Sequence, residues 1–149
     1  MLDEAIAAYL HFLGIFATLA ILAAEATLYR PQMSPATLAL LRRLDLAYLV
    51  GAIAILVTGL ARLFFFAKGA AFYTGNPVFW VKMALFFAVG LLSLPPTFHY
   101  IASAKGATDG GIVIAPGDYR RIRGFIAAQL ALFALIPLAA ALMARGIGM

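Results

Sequence analysis

Residues 77–100 read PVFWVKMALFFAVGLLSLPPTFHY, a run with one charged side chain, Lys82. About 20 apolar helical residues cross roughly 30 Å of hydrocarbon, so this stretch is long enough to span a membrane. Comparable stretches lie at about 5–29, 44–66 and 122–144. The bilayer core offers the backbone no water, so each stretch must close its own hydrogen bonds as a helix. The alternating pattern of a membrane barrel is absent. The expected fold is all-α: an integral membrane four-helix bundle, one domain over residues 1–149.

Composition agrees. The chain is 65% hydrophobic and 11% charged, with a mean hydropathy of +1.02. Soluble domains average about 45–50% apolar and 25% charged, which excludes that class. With no cysteine there is no disulfide framework, thiolate metal site or thiol chemistry. The net charge of +5 sits in or near the connections between spans, which fits membrane orientation rather than nucleic-acid binding. The acidic start, Met1-Leu2-Asp3-Glu4, lacks the basic region of a secretory signal, so the first span is expected to be retained. No phosphate loop, dinucleotide fingerprint, zinc-protease motif or serine elbow is present.

The junctions carry helix signals. Ser34-Pro35 and Asn76-Pro77 each pair an N-cap with proline at the first helical position. Asp118 is expected to cap the fourth helix. The glycine-rich stretch 106–117 reads as a flexible loop. Pro95-Pro96 is expected to end or kink the third helix, and Pro137 to kink the fourth.

Loop charge gives an orientation. The first connection holds Arg30, Arg42 and Arg43, and the third holds Lys105, Arg120, Arg121 and Arg123. In a four-span chain these connections share a side. The positive-inside rule makes that side cytoplasmic, with both termini periplasmic in a bacterial inner membrane.

At about 1.5 Å per residue, His11 lies ~9 Å below the outer end of the first span, Lys82 ~8 Å and Arg62 ~6 Å below those of the third and second. Charge in hydrocarbon is expensive, so such residues usually face the bundle interior and mark a site. Near the other end lie Glu25, Tyr29, Asp45, Tyr48, Thr97, His99 and Tyr100, with Gln129 deeper. His11, Thr18 and Glu25 recur every seven residues on one face. A polar layer at each end and an apolar middle are expected.

Each residue has two readings. His11 is either a metal or haem-iron ligand or a histidine bonded to a neighbouring helix. Lys82 is a second ligand, a proton-transfer group or a propionate counter-charge, or it snorkels to the interface. Arg62 either faces a carboxylate inside or snorkels as well. His99, ~33 Å along its helix from Pro77, is too distant to share a haem with His11. It is expected to pair with Glu25 or Asp45, or to be interfacial. Glu25, with Arg30, Arg42 or Arg43 and Asp45, reads as an ion-pair cluster at the interface or, as the minor reading, as a proton-entry group. Phe64-Phe65-Phe66 with Phe72 and Tyr73 is either a planar-ligand pocket or an interfacial anchor.

Tyr9-Leu10-His11-Phe12, Arg43-Leu44-Asp45-Leu46-Ala47-Tyr48, Thr58-Gly59-Leu60-Ala61-Arg62 and Asn76-Pro77-Val78-Phe79-Trp80-Val81-Lys82 resemble a family of uncharacterised bacterial four-span membrane proteins. That likeness runs over nearly the whole chain and implies no activity. His11 and Trp80-Val81-Lys82 also resemble, more distantly, the HemJ-type protoporphyrinogen oxidases. This second resemblance implies haem b, with His11 as axial ligand and Lys82 as a functional lysine. The broad face of the second helix that carries Asp45, Tyr48, Thr58 and Arg62, and the double proline after Ser93, depart from it.

The function expected is that of a haem-b redox protein of the membrane, an oxidoreductase if an enzyme. His11 would hold iron, Lys82 would act beside it, and Arg62 or Lys68 would meet propionates. The alternative is a non-catalytic accessory or structural subunit, partnered by a second copy or a larger membrane complex. Alanines 127, 131, 134 and 141 of the fourth span support it as a small-residue contact face.

Overall fold

The computed structural model describes residues 2–66 and 70–148. In chain order, helix α1 (Leu2–Leu28) leads through β1 (Gln32–Met33) into α2 (Pro35–Ala61), which continues as a π-helical turn, Arg62–Phe66. A short helix α3 (Ala70–Thr74) precedes α4 (Pro77–Gly106); β2 (Ile112–Val113) and α5 (Pro116–Ala144) complete the chain. The four long helices are each long and apolar enough to cross a membrane. α1 packs chiefly on α2, and α4 on α5; lighter α2–α4 and α1–α5 contacts join the two pairs.

The starts of α2 and α4 follow their caps. The Ser34 hydroxyl accepts from the Thr37 N–H at 3.2 Å, and the Asn76 side chain accepts from the Val78 N–H at 2.8 Å. Asn76 also donates to the Ile147 carbonyl at 3.2 Å, tying the C-terminal tail to the start of α4. α5 departs from expectation. Its N-cap is Ala115 with no side-chain bond, and Asp118 lies inside the first turn. There the carboxylate favours the helix by opposing the positive end of its dipole.

The double proline does not end α4, which runs on to Gly106. A helical Pro96 has no N–H to offer the carbonyl four residues back, that of Leu92. Gln129 of α5 supplies the missing donor, its Nε2 lying 3.2 Å from the Leu92 oxygen. In a membrane a neighbouring helix must satisfy the freed carbonyl, and here one does.

The stretch 106–117 is not a free loop. β2 pairs antiparallel with β1, Gln32 opposite Val113 and Met33 opposite Ile112. The Ile114 N–H donates to the Pro31 carbonyl at 2.7 Å. Gly111 turns the ribbon at φ +95°, and a Cβ there would run into the Met33 carbonyl, so only glycine fits. The first and third connections are thereby joined at one end of the bundle, here called the ribbon end. The termini, the π-helical turn and α3 lie at the opposite, open end.

Packing is uneven between these ends. The buried residues Tyr29, Met33, Leu38, Leu41, Tyr48, Tyr100, Ile114, Ile122 and Ile126 gather in the ribbon half. Toward the open end fewer are comparably covered among the described residues: Ile55, Asn76, Phe79, Val89, Phe133 and Ala139. Leu13, Phe16, Leu46, Ile53, Phe87, Leu91 and Phe98 face outward, where a membrane bundle meets lipid. The middle is not wholly apolar, since Thr18 and Gln129 are each 1% exposed.

Candidate functional site at the open end

His11 lies on the inner stripe of α1, one helix away from Thr58 of α2. Its Nδ1 is 2.9 Å from the Thr58 Oγ1. The Thr58 hydroxyl has one proton, and it donates that to the Ala54 carbonyl at 2.7 Å. In the tautomer whose Nδ1 carries the proton, the hydroxyl accepts from the imidazole and Nε2 keeps its lone pair. The ring fills a notch left by Gly59, where a Cβ would stand 3.1 Å from His11 Cε1.

Two cations lie at the same level. The Arg62 guanidinium is 5.8 Å from the centre of the Phe12 ring, and the Lys82 ammonium is 5.5 Å from that of Phe79. The charges of both act on His11. Three helices thus deliver an imidazole and two cations to one region, as the depth reckoning expects. The Lys82 stem runs back toward Phe79, the direction of snorkelling, yet the ammonium stays within electrostatic reach of His11. A largely apolar groove of about 530 Å³, lined by Asp3, Ile6, Ala7, Leu10, Thr58 and Ala61, opens beside the His11–Thr58 bond. Lys68, expected near propionates, lies outside the described residues.

The ribbon end holds a different constellation. The Tyr29 hydroxyl is 3.0 Å from His99 Nε2, with the Ser103 hydroxyl at 3.4 Å from the same nitrogen. Tyr29 stacks on Tyr119 at 5.5 Å and packs on Tyr100 at 5.8 Å. Burial first, then Asp118 and Tyr119, push the Tyr29 phenol up, so it stays a neutral hydroxyl. Tyr100 donates to Glu25 Oε2 over a long 3.5 Å, and Thr97 donates to Asp45 Oδ1 at 2.7 Å.

Residues 3–148 match the sequence family described as "Predicted membrane protein (DUF2214)". The chain belongs to this family. No curated protein and no solved structure matches it. It is an integral membrane protein, in keeping with its four apolar helices.

Two ribbon-end expectations for this DUF2214 protein are corrected. Glu25 is not paired with arginine: Arg30 bonds the Thr27 carbonyl, Arg42 and Arg43 are exposed, and Arg123 bonds the Ala26 carbonyl. Glu25 points into the bundle, whereas those guanidinium groups turn outward or onto backbone. His99 pairs with Tyr29, not with Glu25 or Asp45, because its ring faces the tyrosine layer. At the open end, Phe64 and Phe65 are 62% and 79% exposed, in keeping with the interfacial-anchor reading.

Thr58 and Gln129 carry more than their positions in the sequence announce. Thr58 orients His11, a role signalled only by its shared stripe with Arg62. Gln129 was foreshadowed by Pro96, whose missing N–H requires a donor from elsewhere. Among the described residues no three His, Asp or Glu side chains gather to hold a metal.

Proposed function

We propose that this membrane protein is a haem-b-binding redox protein of the bacterial inner membrane, with its site near the periplasmic face and both termini periplasmic. The observation that carries the reading is the His11–Thr58 hydrogen bond. An axial histidine needs a free nitrogen lone pair, and its other N–H is characteristically held by a second residue. Thr58 meets that need on Nδ1 and leaves Nε2 to the iron. Arg62 and Lys82 are the donors for propionates. When bound, haem supplies one-electron chemistry. Lys82 is the residue assigned to proton transfer beside it. The orientation rests on the basic residues of the ribbon end, Arg30, Arg42, Arg43, Lys105, Arg120, Arg121 and Arg123.

The test is an absorption spectrum of protein purified after expression with ample haem. A Soret band that is lost in His11→Ala supports the proposal; colourless wild-type protein overturns it. A non-catalytic accessory subunit is the second reading. It is favoured by the exposure of Ala127, Ala131, Ala134 and Ala141 on α5, a small-residue face open to another helix. Colourless protein that co-purifies with a larger membrane complex would decide for it.

A further inference from the structure

Three polar atoms are buried without a hydrogen-bond partner among the described residues: Glu25 Oε1, Thr18 Oγ1 and Gln129 Oε1. Glu25 is 3% exposed, and Thr18 and Gln129 are 1% exposed. Buried polar atoms are almost always paired, and those without a protein partner are met by ordered water.

The three atoms occupy two levels. Thr18 and Glu25 share a face of α1, ~10.5 Å apart along the axis. Gln129 bonds the Leu92 carbonyl, and Tyr100 bonds Glu25. Leu92 precedes Tyr100 by ~12 Å along α4. Thr18 and Gln129 therefore stand at one height, between Glu25 and the open end. Thr18 packs against Gly51 of α2 so closely that a Cβ there would run into its hydroxyl.

The other side of Glu25 is closed. Toward the ribbon, Tyr29 and Tyr100 pack on one another, and Met33 of β1, Leu41 and Ile114 are buried. The titratable groups acting with Glu25 are Asp45 and Tyr48 of α2 and Tyr100 of α4, none of them basic. Asp45 is itself engaged by Thr97. A carboxylate so enclosed and without a counter-charge is far costlier than the neutral acid.

We propose that Glu25 is a proton-binding carboxyl that exchanges its proton with water held by Thr18 and Gln129, closed toward the ribbon by the tyrosine layer. The acid releases its proton to water at Oε1 and recovers one by the same route. No oxidant or metal takes part, so the proposal stands independently of haem.

Infrared spectra of the reconstituted protein, followed after transfer from H2O to D2O, test it. The expected result is a protonated-carboxyl C=O band that shifts on deuteration and is lost in Glu25→Gln. Should Glu25→Gln fail to fold, Glu25→Asp is read instead, and the band must move. The shift slows severalfold in Thr18→Val and keeps its rate in Tyr29→Phe. No band assignable to Glu25, an unchanged rate in Thr18→Val, or acceleration in Tyr29→Phe overturns the proposal.

Discussion

The ribbon end and the open end of this bundle are built from the same kinds of residue to opposite effect. At the ribbon end, aromatic rings pack on one another, two connections are stitched into a sheet, and Tyr29, His99, Asp45 and Thr97 find partners close by. At the open end fewer side chains are buried, and the inward polar groups are an imidazole and two cations. One interhelical hydrogen bond, His11 to Thr58, orders the imidazole. The difference teaches how to read polar residues in a membrane bundle. Where they satisfy each other inside dense packing they hold the fold. Where like charges gather in looser packing, the proposed function gives them a partner.

The comparison breaks first at Tyr100. Truncating this fully buried ring in Tyr100→Ala removes Tyr29's packing partner and the donor to Glu25. A loss of about 3–5 kcal/mol is expected, read as a large fall in unfolding temperature in detergent. A loss comparable to that of an open-end truncation would erase the distinction. Next is Gly111→Ala, which puts a Cβ into the Met33 carbonyl at φ +95°. It should cost about 1–3 kcal/mol and loosen the ribbon, seen as faster amide exchange around Ile114. Gln129→Leu leaves the Leu92 carbonyl without its donor and should cost about 1–3 kcal/mol.

At the open end the effects on stability shrink and those on chemistry grow. Gly59→Ala crowds the His11 ring and should cost about 1 kcal/mol while changing the spectrum of any group bound there. Lys82→Met should leave stability within about 0.5 kcal/mol of wild type. Destabilisation beyond that by Lys82→Met would show that the open-end cations hold the fold as well.

Much of this was legible in the chain. Ser34-Pro35 and Asn76-Pro77 mark helix starts through local cap chemistry, and the structure uses both caps. The common level of His11, Arg62 and Lys82 follows from helical rise alone. What escaped the sequence depends on partners far along the chain. The passage of α4 through Pro95-Pro96 needs Gln129 on another helix, and His99 meets Tyr29 across 70 residues. Two-residue strands are too short to show any period, so the ribbon left no pattern. Glu25's want of a counter-charge was hidden because nearby arginines in the sequence need not turn inward.

The central claim is that the His11 region of the open end is a site, whereas the tyrosine layer of the ribbon end is a scaffold. It is tested most directly by measuring Soret absorbance and unfolding temperature on one preparation of His11→Ala beside wild type. The account predicts a Soret band in wild type, its loss in the variant, and nearly unchanged unfolding of the haem-free forms. A variant that keeps the band, or one that unfolds as readily as Tyr100→Ala, would contradict it.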